Sequence, residues 1–161
     1  MKFEASQSYD APPEHVIAVY ADPASYVGMT GLTKIAAPEL VDVTTAGATV
    51  VLRMNYRFIA SLPAVATAVI DQSKATWVDE TAFDLDTLTA TTAMLPDHYG
   101  NKIKVAITQD FVADGDGCRR VVRGDLKVKM LLVGGQVEKV IVNGLKDHLT
   151  EEQPWFAALL A

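Results

Sequence analysis

The sequence predicts an α+β domain in which an antiparallel sheet of about seven strands is covered by one long C-terminal helix. One or two short helices follow the first strand. Three observations carry this. Apolar residues alternate with a period of two through residues 38–58 and again through 102–130, the signature of strands with one buried face. Helical spacing is confined to a short stretch after residue 10 and a long one after Gly134-Gly135. The order is therefore strand, short helices, a run of about six strands and a helix, which argues for segregated elements and an antiparallel sheet.

Residues 2–9 alternate, with Phe3, Ala5 and Tyr9 on one side, and read as the first strand. Asp10 or Ala11 then precedes two prolines, which suit a first helical turn because their missing N–H would be unpaired there anyway. Val16, Ile17 and Tyr20 form an apolar stripe, and Asp22-Pro23 ends the helix. A shorter helix or turn is expected within 24–32. Residues 38–58 read as two strands around a turn at Ala46-Gly47. In the second of them Val50, Leu52, Met54, Tyr56 and Phe58 share a face. Residues 61–70 fit either a short helix or an irregular crossover. Residues 71–83, 86–95, 102–112 and 118–130 read as strands, with a turn at 96–102 and a hairpin loop at 113–117.

The stretch "LLVGGQVEKVIV", residues 131–142, links strand to helix through two glycines. A sharp turn there requires either positive φ or a close backbone approach, and glycine permits both. No further Gly, Lys or Ser/Thr pattern makes it a phosphate loop. At 100° per residue, Val137, Ile141, Gly144, Leu145 and His148 fall in one inward arc, with Lys139, Asn143, Lys146 and Thr150 opposite. Gly144 and His148 are out of character on such an arc. Either an aromatic side chain from the sheet packs onto Gly144 and His148 is a hydrogen-bonded buried histidine, or the missing volume belongs to a cavity with His148 near its mouth. Pro154 predicts a kink or restart of the helix. Beyond it, Trp155, Phe156, Leu159 and Leu160 form an apolar tail that can cap a cavity, pack on the sheet or bury against a second copy in a homodimer. Ordinary packing is the reading adopted.

Composition bounds the function. A length of 161 residues fits one domain spanning 1–161, and half the residues are hydrophobic, as in a globular chain. A formal net charge of −6 argues against nucleic-acid binding; most of the cluster Arg119, Arg120, Arg123, Lys127 and Lys129 reads as one solvated strand face, interrupted by Asp125. Cys118 is the only cysteine, so no intrachain disulfide and no thiolate metal cluster is expected, and packing is its expected role. No apolar run is long enough to span a bilayer and the N-terminus has no signal-peptide character, so a soluble cytoplasmic protein is expected. His15, His98 and His148 show no metal-ligand spacing, and there is no G-x-S-x-G or S-x-x-K motif. No cofactor, metal or catalytic residue is assigned.

Two segments carry a resemblance. "SYDAPPEHVIAVYADPASY" (8–26) is similar to the first strand–helix stretch of the START-related, birch-pollen-allergen-like superfamily, often called SRPBCC. "DGDGCRRVVRGDLKVKMLLVGGQVEKVI" (114–141) is similar to its last strand and C-terminal helix. The resemblance spans nearly the whole chain and points to an uncharacterised bacterial family within the superfamily. It implies a helix-grip fold, a curved antiparallel sheet around the long helix. It also implies a hydrophobic cavity of the kind that binds lipids, sterols, polyketides or hormone-like molecules; some members are cyclases or aromatases.

The expected function is binding or carriage of a small hydrophobic ligand between sheet and helix. The candidate ligand-binding residues are Tyr56, Trp77, Gln109, Arg120, Val122, Leu126, Val137, Ile141, Gly144, Leu145 and His148. The register around Trp77 leaves open whether it lines the cavity or packs behind it. Gln109 and Arg120 are expected at the sheet's rim, in solvent. Asp79, Glu80, Asp84 and Asp86 are expected as a solvated acidic edge. The alternatives are a cyclase- or aromatase-like enzyme using His148, Arg120 or Tyr56 for proton transfer or orientation, and a filled-core interaction module acting through the tail.

Overall fold

A computed structural model describes residues 1–161. Seven antiparallel strands form one sheet: β1 (Lys2–Tyr9), β2 (Glu39–Ala46), β3 (Thr49–Arg57), β4 (Thr76–Asp84), β5 (Thr89–Pro96), β6 (Ile103–Asp114) and β7 (Gly117–Val128). Their order is β1-β7-β6-β5-β4-β3-β2, so every neighbouring pair except β1–β7 is consecutive in the chain. Helix α1 (Pro13–Tyr20) and a 3-10 turn (Pro23–Tyr26) follow β1. A single turn of helix, α2 (Ala64–Thr67), lies in the crossover between β3 and β4, and α3 (Gly134–Leu160) lies across the sheet. This is the helix-grip arrangement.

The parity read from the sequence is the parity observed. Val50, Leu52 and Met54 of β3, Phe83 of β4, Val105 and Phe111 of β6, and Val122, Leu126 and Val128 of β7 are all buried on the α3 side. Tyr56 faces Trp77 directly across the β3–β4 pair. Trp77 is buried and stacks on Tyr56 with ring centroids 5.7 Å apart, so it belongs to the inner face. The stretch 71–75 is not strand: residues 72–74 form a 3-10 turn, with Asp71 accepting from the Ser73 amide at its start.

Gly134 opens α3, and the constraint on it is close approach. A Cβ there would lie 2.6 Å from the Val128 carbonyl oxygen. The positive φ of the turn falls on Leu132 (68°), and β7 ends at Val128 rather than running on through Leu131–Val133. The apolar "LLV" looks like strand in sequence, but Leu131 and Leu132 are at the surface.

Helix α3 runs on through Pro154 as one helix, so of the kink or restart that the proline predicts, the restart does not occur. The missing backbone bond is offset by tertiary contacts immediately after it. Phe156 is fully buried and stacks on Tyr20 at 4.0 Å, and the Trp155 indole donates to the Ser25 carbonyl at 2.7 Å. The tail is thus packed against α1 and the turn after it.

The core divides into two apolar clusters. One gathers α1, Phe83, Phe111 and Phe156; the other gathers Phe3, Ile35, Trp77, Ile103, Leu126, Val137 and Val142. A layer of polar side chains lies in the space between sheet and helix.

Candidate functional site

The polar layer is built by strand register. Gln7 stands opposite Arg120 across β1–β7, and Thr81 stands opposite Thr92 across β4–β5. Hydrogen bonds join them in a chain over five strands. Arg120 Nη1 donates to Gln7 Oε1 at 2.5 Å and its Nε to Gln109 Oε1 at 2.9 Å. Gln109 Nε2 donates to Thr92 Oγ1 at 3.1 Å, and the Thr92 and Thr81 hydroxyls are 2.8 Å apart. Gln7, Gln109, Arg120, Thr81 and Thr92 are all buried. Gln109 and Arg120 are therefore not solvated rim residues. The sheet curves around α3, so positions that would be rim in a flat sheet lie beneath the helix.

What holds Arg120 inside is Glu152, on the turn of α3 that follows His148. Arg120 Nη1 lies 2.8 Å from Glu152 Oε1, and both side chains are almost wholly excluded from solvent. The guanidinium also sits over the Tyr20 ring, 4.0 Å from its centroid. Burial opposes the arginine's charge, yet the groups around it hold it above its ordinary value. Gln7 Nε2 closes the arrangement by donating to Glu152 Oε1 and to the Leu149 carbonyl. Removing one member of such a buried pair leaves an uncompensated charge.

His148 Nε2 is 3.5 Å from Glu152 Oε2, while its Nδ1 is buried with no partner. Burial holds the imidazole below its ordinary value, against the pull of Glu152. The neutral form follows, with Nε2–H toward the carboxylate and a bare lone pair on Nδ1. Asp79 departs from the solvated edge expected for it. It faces inward between Trp77 and Thr81, its Oδ1 buried and unpartnered, and burial pushes its carboxyl up to about 7, opposed by the nearby Trp77 indole. Glu80, by contrast, is exposed and pairs with Arg53 at 3.4 Å.

Two hollows flank α3. The inner one, about 90 Å³, is lined on the sheet side by Tyr56, Asp79, Gln109, Arg120 and Val122 and on the helix side by His148 and Glu152. The outer one, about 80 Å³ and almost entirely apolar, lies between Ile141 and Val140 of α3, the ends of β5 and β6, and the 58–77 segment. Ile35, Trp77 and Leu145 line both. Of the candidate residues, Tyr56, Trp77, Gln109, Arg120, Val122, Leu145 and His148 thus meet at the inner hollow, and Trp77, Ile141 and Leu145 at the outer one. Leu126 and Val137 are fully buried in the packed cluster behind and line neither. Gly144 is filled: a Cβ there would lie 2.8 Å from Phe58 Cε2, so the ring takes the volume that the glycine leaves. Gln7, Asp79 and Glu152 were missed. Each carried a signal, since Gln7 shares the parity of Phe3 and Tyr9, Asp79 that of Trp77, and Glu152 sits four residues after His148.

The protein-family comparison matches residues 4–160 to a family described as protein of unknown function (DUF2505). The chain belongs to that family. No curated protein sequence matches it. Among solved structures, the protein TTHA0849 from Thermus thermophilus is similar at 19% identity and a TM-score of 0.68, with all of both chains covered. The Zhui aromatase/cyclase of Streptomyces sp. R1128 is 13% identical, with 99% of this chain and 93% of that one covered and a TM-score of 0.66. A START superfamily protein from Mycobacterium smegmatis is 16% identical over 99% of this chain and 96% of its own, with a TM-score of 0.57. These likenesses show that this DUF2505 member shares the fold of START superfamily proteins. No helix in it is long and apolar enough to cross a membrane.

Proposed function

We propose that this DUF2505 protein binds, and in that form carries, a small amphipathic molecule between the sheet and α3. The ligand's apolar body occupies the outer hollow and its polar end the inner one. The observation that carries this reading is the shared wall: an apolar and a polar hollow of similar size meet at Ile35, Trp77 and Leu145. Ligand sites typically combine an apolar concavity with a few placed polar groups, in volumes of about 300–1,000 Å³. Each hollow alone is smaller than that, so a ligand spanning both needs the shared wall to part, Leu145 moving aside while Trp77 keeps its stack on Tyr56. Burying about 150 Å² of apolar ligand surface would contribute about 4 kcal/mol before the costs of association. Tyr56, Trp77, Gln109, Arg120, Val122, Ile141, Leu145 and His148 remain the proposed contacts.

The test is native mass spectrometry of the purified protein for a co-purified small molecule, with Ile141→Trp as the filled variant. A bound mass that disappears in the variant, together with loss of a neutral fluorescent probe such as N-phenyl-1-naphthylamine, supports the reading. Absence of both ligand and probe binding in the unaltered protein refutes it.

A catalytic version of the same site has one observation in its favour. Asp79, pushed up to about 7, lines one hollow with a neutral His148, and a carboxyl poised near neutrality suits proton transfer. Two proteins of similar fold are catalysts by name, the Zhui aromatase/cyclase and a norcoclaurine synthase of Thalictrum flavum. Ligand turnover abolished by His148→Ala with ligand binding retained would establish it; unchanged turnover would exclude His148.

A further inference from the structure

The inner hollow contains an unusual concentration of unanswered polar atoms. His148 Nδ1, Trp77 Nε1 and Asp79 Oδ1 are all buried and complete no well-formed hydrogen bond, although the indole lies close enough to Asp79 to favour its charged form, and all three side chains line that hollow. Buried polar atoms in folded proteins are nearly always paired, so three around one cavity mark a place for an outside group. Their chemistry restricts the group. An indole N–H can only donate. His148, with Nε2 toward Glu152, offers Nδ1 as an acceptor and needs a donor. A group that satisfies both must donate and accept from one small centre.

The charges restrict it further. The one guanidinium lining the hollow is already paired with Glu152 at 2.8 Å. Asp79 has no cation against it: its neighbours on β4 are Trp77 and Thr81, and across the strand pairs stand Met54 and Met94. A carboxylate entering here would meet Asp79 and Glu152 with no free positive charge to balance it and no hydrogen to give His148. An ammonium would satisfy His148 but leave the indole N–H without an acceptor. A ketone or ether would do the reverse.

Resting on the ligand-binding reading above, we infer that the inner hollow selects a neutral hydroxyl group, as in a phenol, enol or alcohol, which donates to His148 Nδ1 and accepts from Trp77 Nε1. The ligand class is then an apolar molecule ending in a hydroxyl, and fatty acids and other carboxylates are disfavoured. Lys74 lies at the outer hollow, away from this polar end, and is the one place where an anion could be held instead.

Three matched probes separate these cases by calorimetric titration: naphthalene, 2-naphthol and 2-naphthoate. The inference expects 2-naphthol to bind at least about tenfold more tightly than naphthalene, and 2-naphthoate more weakly than either. In His148→Phe, which keeps the ring volume and removes the acceptor, the preference of 2-naphthol over naphthalene should vanish, whatever change in affinity the two probes share. Trp77→Phe supplies a second variant with the donor removed, and the same loss is expected. Equal binding of naphthalene and 2-naphthol overturns the hydroxyl assignment while leaving the ligand-binding reading standing. So does preferred binding of 2-naphthoate, and its sensitivity to Lys74→Ala would then locate the carboxylate at the outer hollow. Failure of all three probes to bind overturns both readings.

Discussion

Gly144 offers a test in which two known effects oppose each other. Replacing glycine by alanine inside a helix favours the fold by about 1 kcal/mol. Here, however, the new methyl would sit 2.8 Å from Phe58 Cε2 and 3.3 Å from Cζ. Carbon pairs are most favourable at about 3.5–4.0 Å, so the ring must retreat by about 0.7 Å. Inserting a methyl into a packed contact costs about 1–3 kcal/mol. With the cost near 2, Gly144→Ala destabilises by about 1 kcal/mol net. With a urea m-value of about 2 kcal/mol/M, the unfolding midpoint falls by about 0.5 M. In a Phe58→Leu background the ring edge is gone and only the helix preference remains, so the same substitution should stabilise by about 1 kcal/mol. The double-mutant cycle then gives a coupling of about 2 kcal/mol, within the range expected of residues in contact. The reasoning fails if Gly144→Ala raises the midpoint in the unaltered protein, which would mean that Phe58 swings freely into the outer hollow. It fails equally if the two backgrounds respond alike.

Glu152→Ala should destabilise by about 3–5 kcal/mol in urea titration, because it strands the buried Arg120 charge; the pair replaced together, Arg120→Met with Glu152→Leu, should recover most of that. Phe156→Ala should cost about 3–5 kcal/mol and lower the thermal midpoint, since the side chain is fully buried against Tyr20 and Tyr26. Asp79 has a folded-state value raised from 3.8 to about 7, so the native state holds a proton that the unfolded chain releases. Stability therefore falls as pH rises from about 4 to about 7, then levels; Asp79→Asn should remove that decline and be the more stable protein at pH 8. His148, held low by burial, acts in the opposite sense below about 6.5, where the unfolded chain takes up a proton first, and His148→Phe should flatten that limb in the same pH series of denaturation curves.

The frame of the fold was legible because it is written in apolar periodicity. The alternation of Val50, Leu52, Met54, Tyr56 and the inward arc from Val137 to His148 needed only the geometry of strand and helix. The polar layer was hidden for a different reason. A charged residue on an inner face, such as Arg120 or Asp79, reads as a sheet margin unless its partner is known. Beyond its hairpin neighbour Gln109, the partners of Arg120 are Gln7 and Glu152, 113 and 32 residues away in the chain. No local pattern announces a pairing at such distances. Pro154 is a related case: its local penalty is visible in sequence, but the burial of Phe156 that lets the helix run on past it is a property of the assembled core.

Helix α3 is a beam clamped at both ends. Near its start, Glu138 accepts the Val128 amide at 2.9 Å and Gly134 abuts the Val128 carbonyl; near its end, Glu152, Trp155 and Phe156 fasten it to β7, the turn after α1 and α1 itself. A beam held so cannot swing aside to admit a guest. The opposite wall is held more lightly. Between Ile59 and Ala75 the chain carries only the single turn of α2 and the 3-10 turn at 72–74, and its ties to the rest include Ile59 and Ala60 to the Lys34 carbonyl and the Asp71 amide to the Tyr99 hydroxyl. Leu62, Ile70 and Ala75 of this stretch are themselves the wall of the outer hollow. If the protein binds a ligand as proposed, the doorway lies on the crossover side: this stretch should exchange its amide hydrogens sooner than α3, and a disulfide pinning it to its neighbours should slow a ligand's arrival without weakening its final hold.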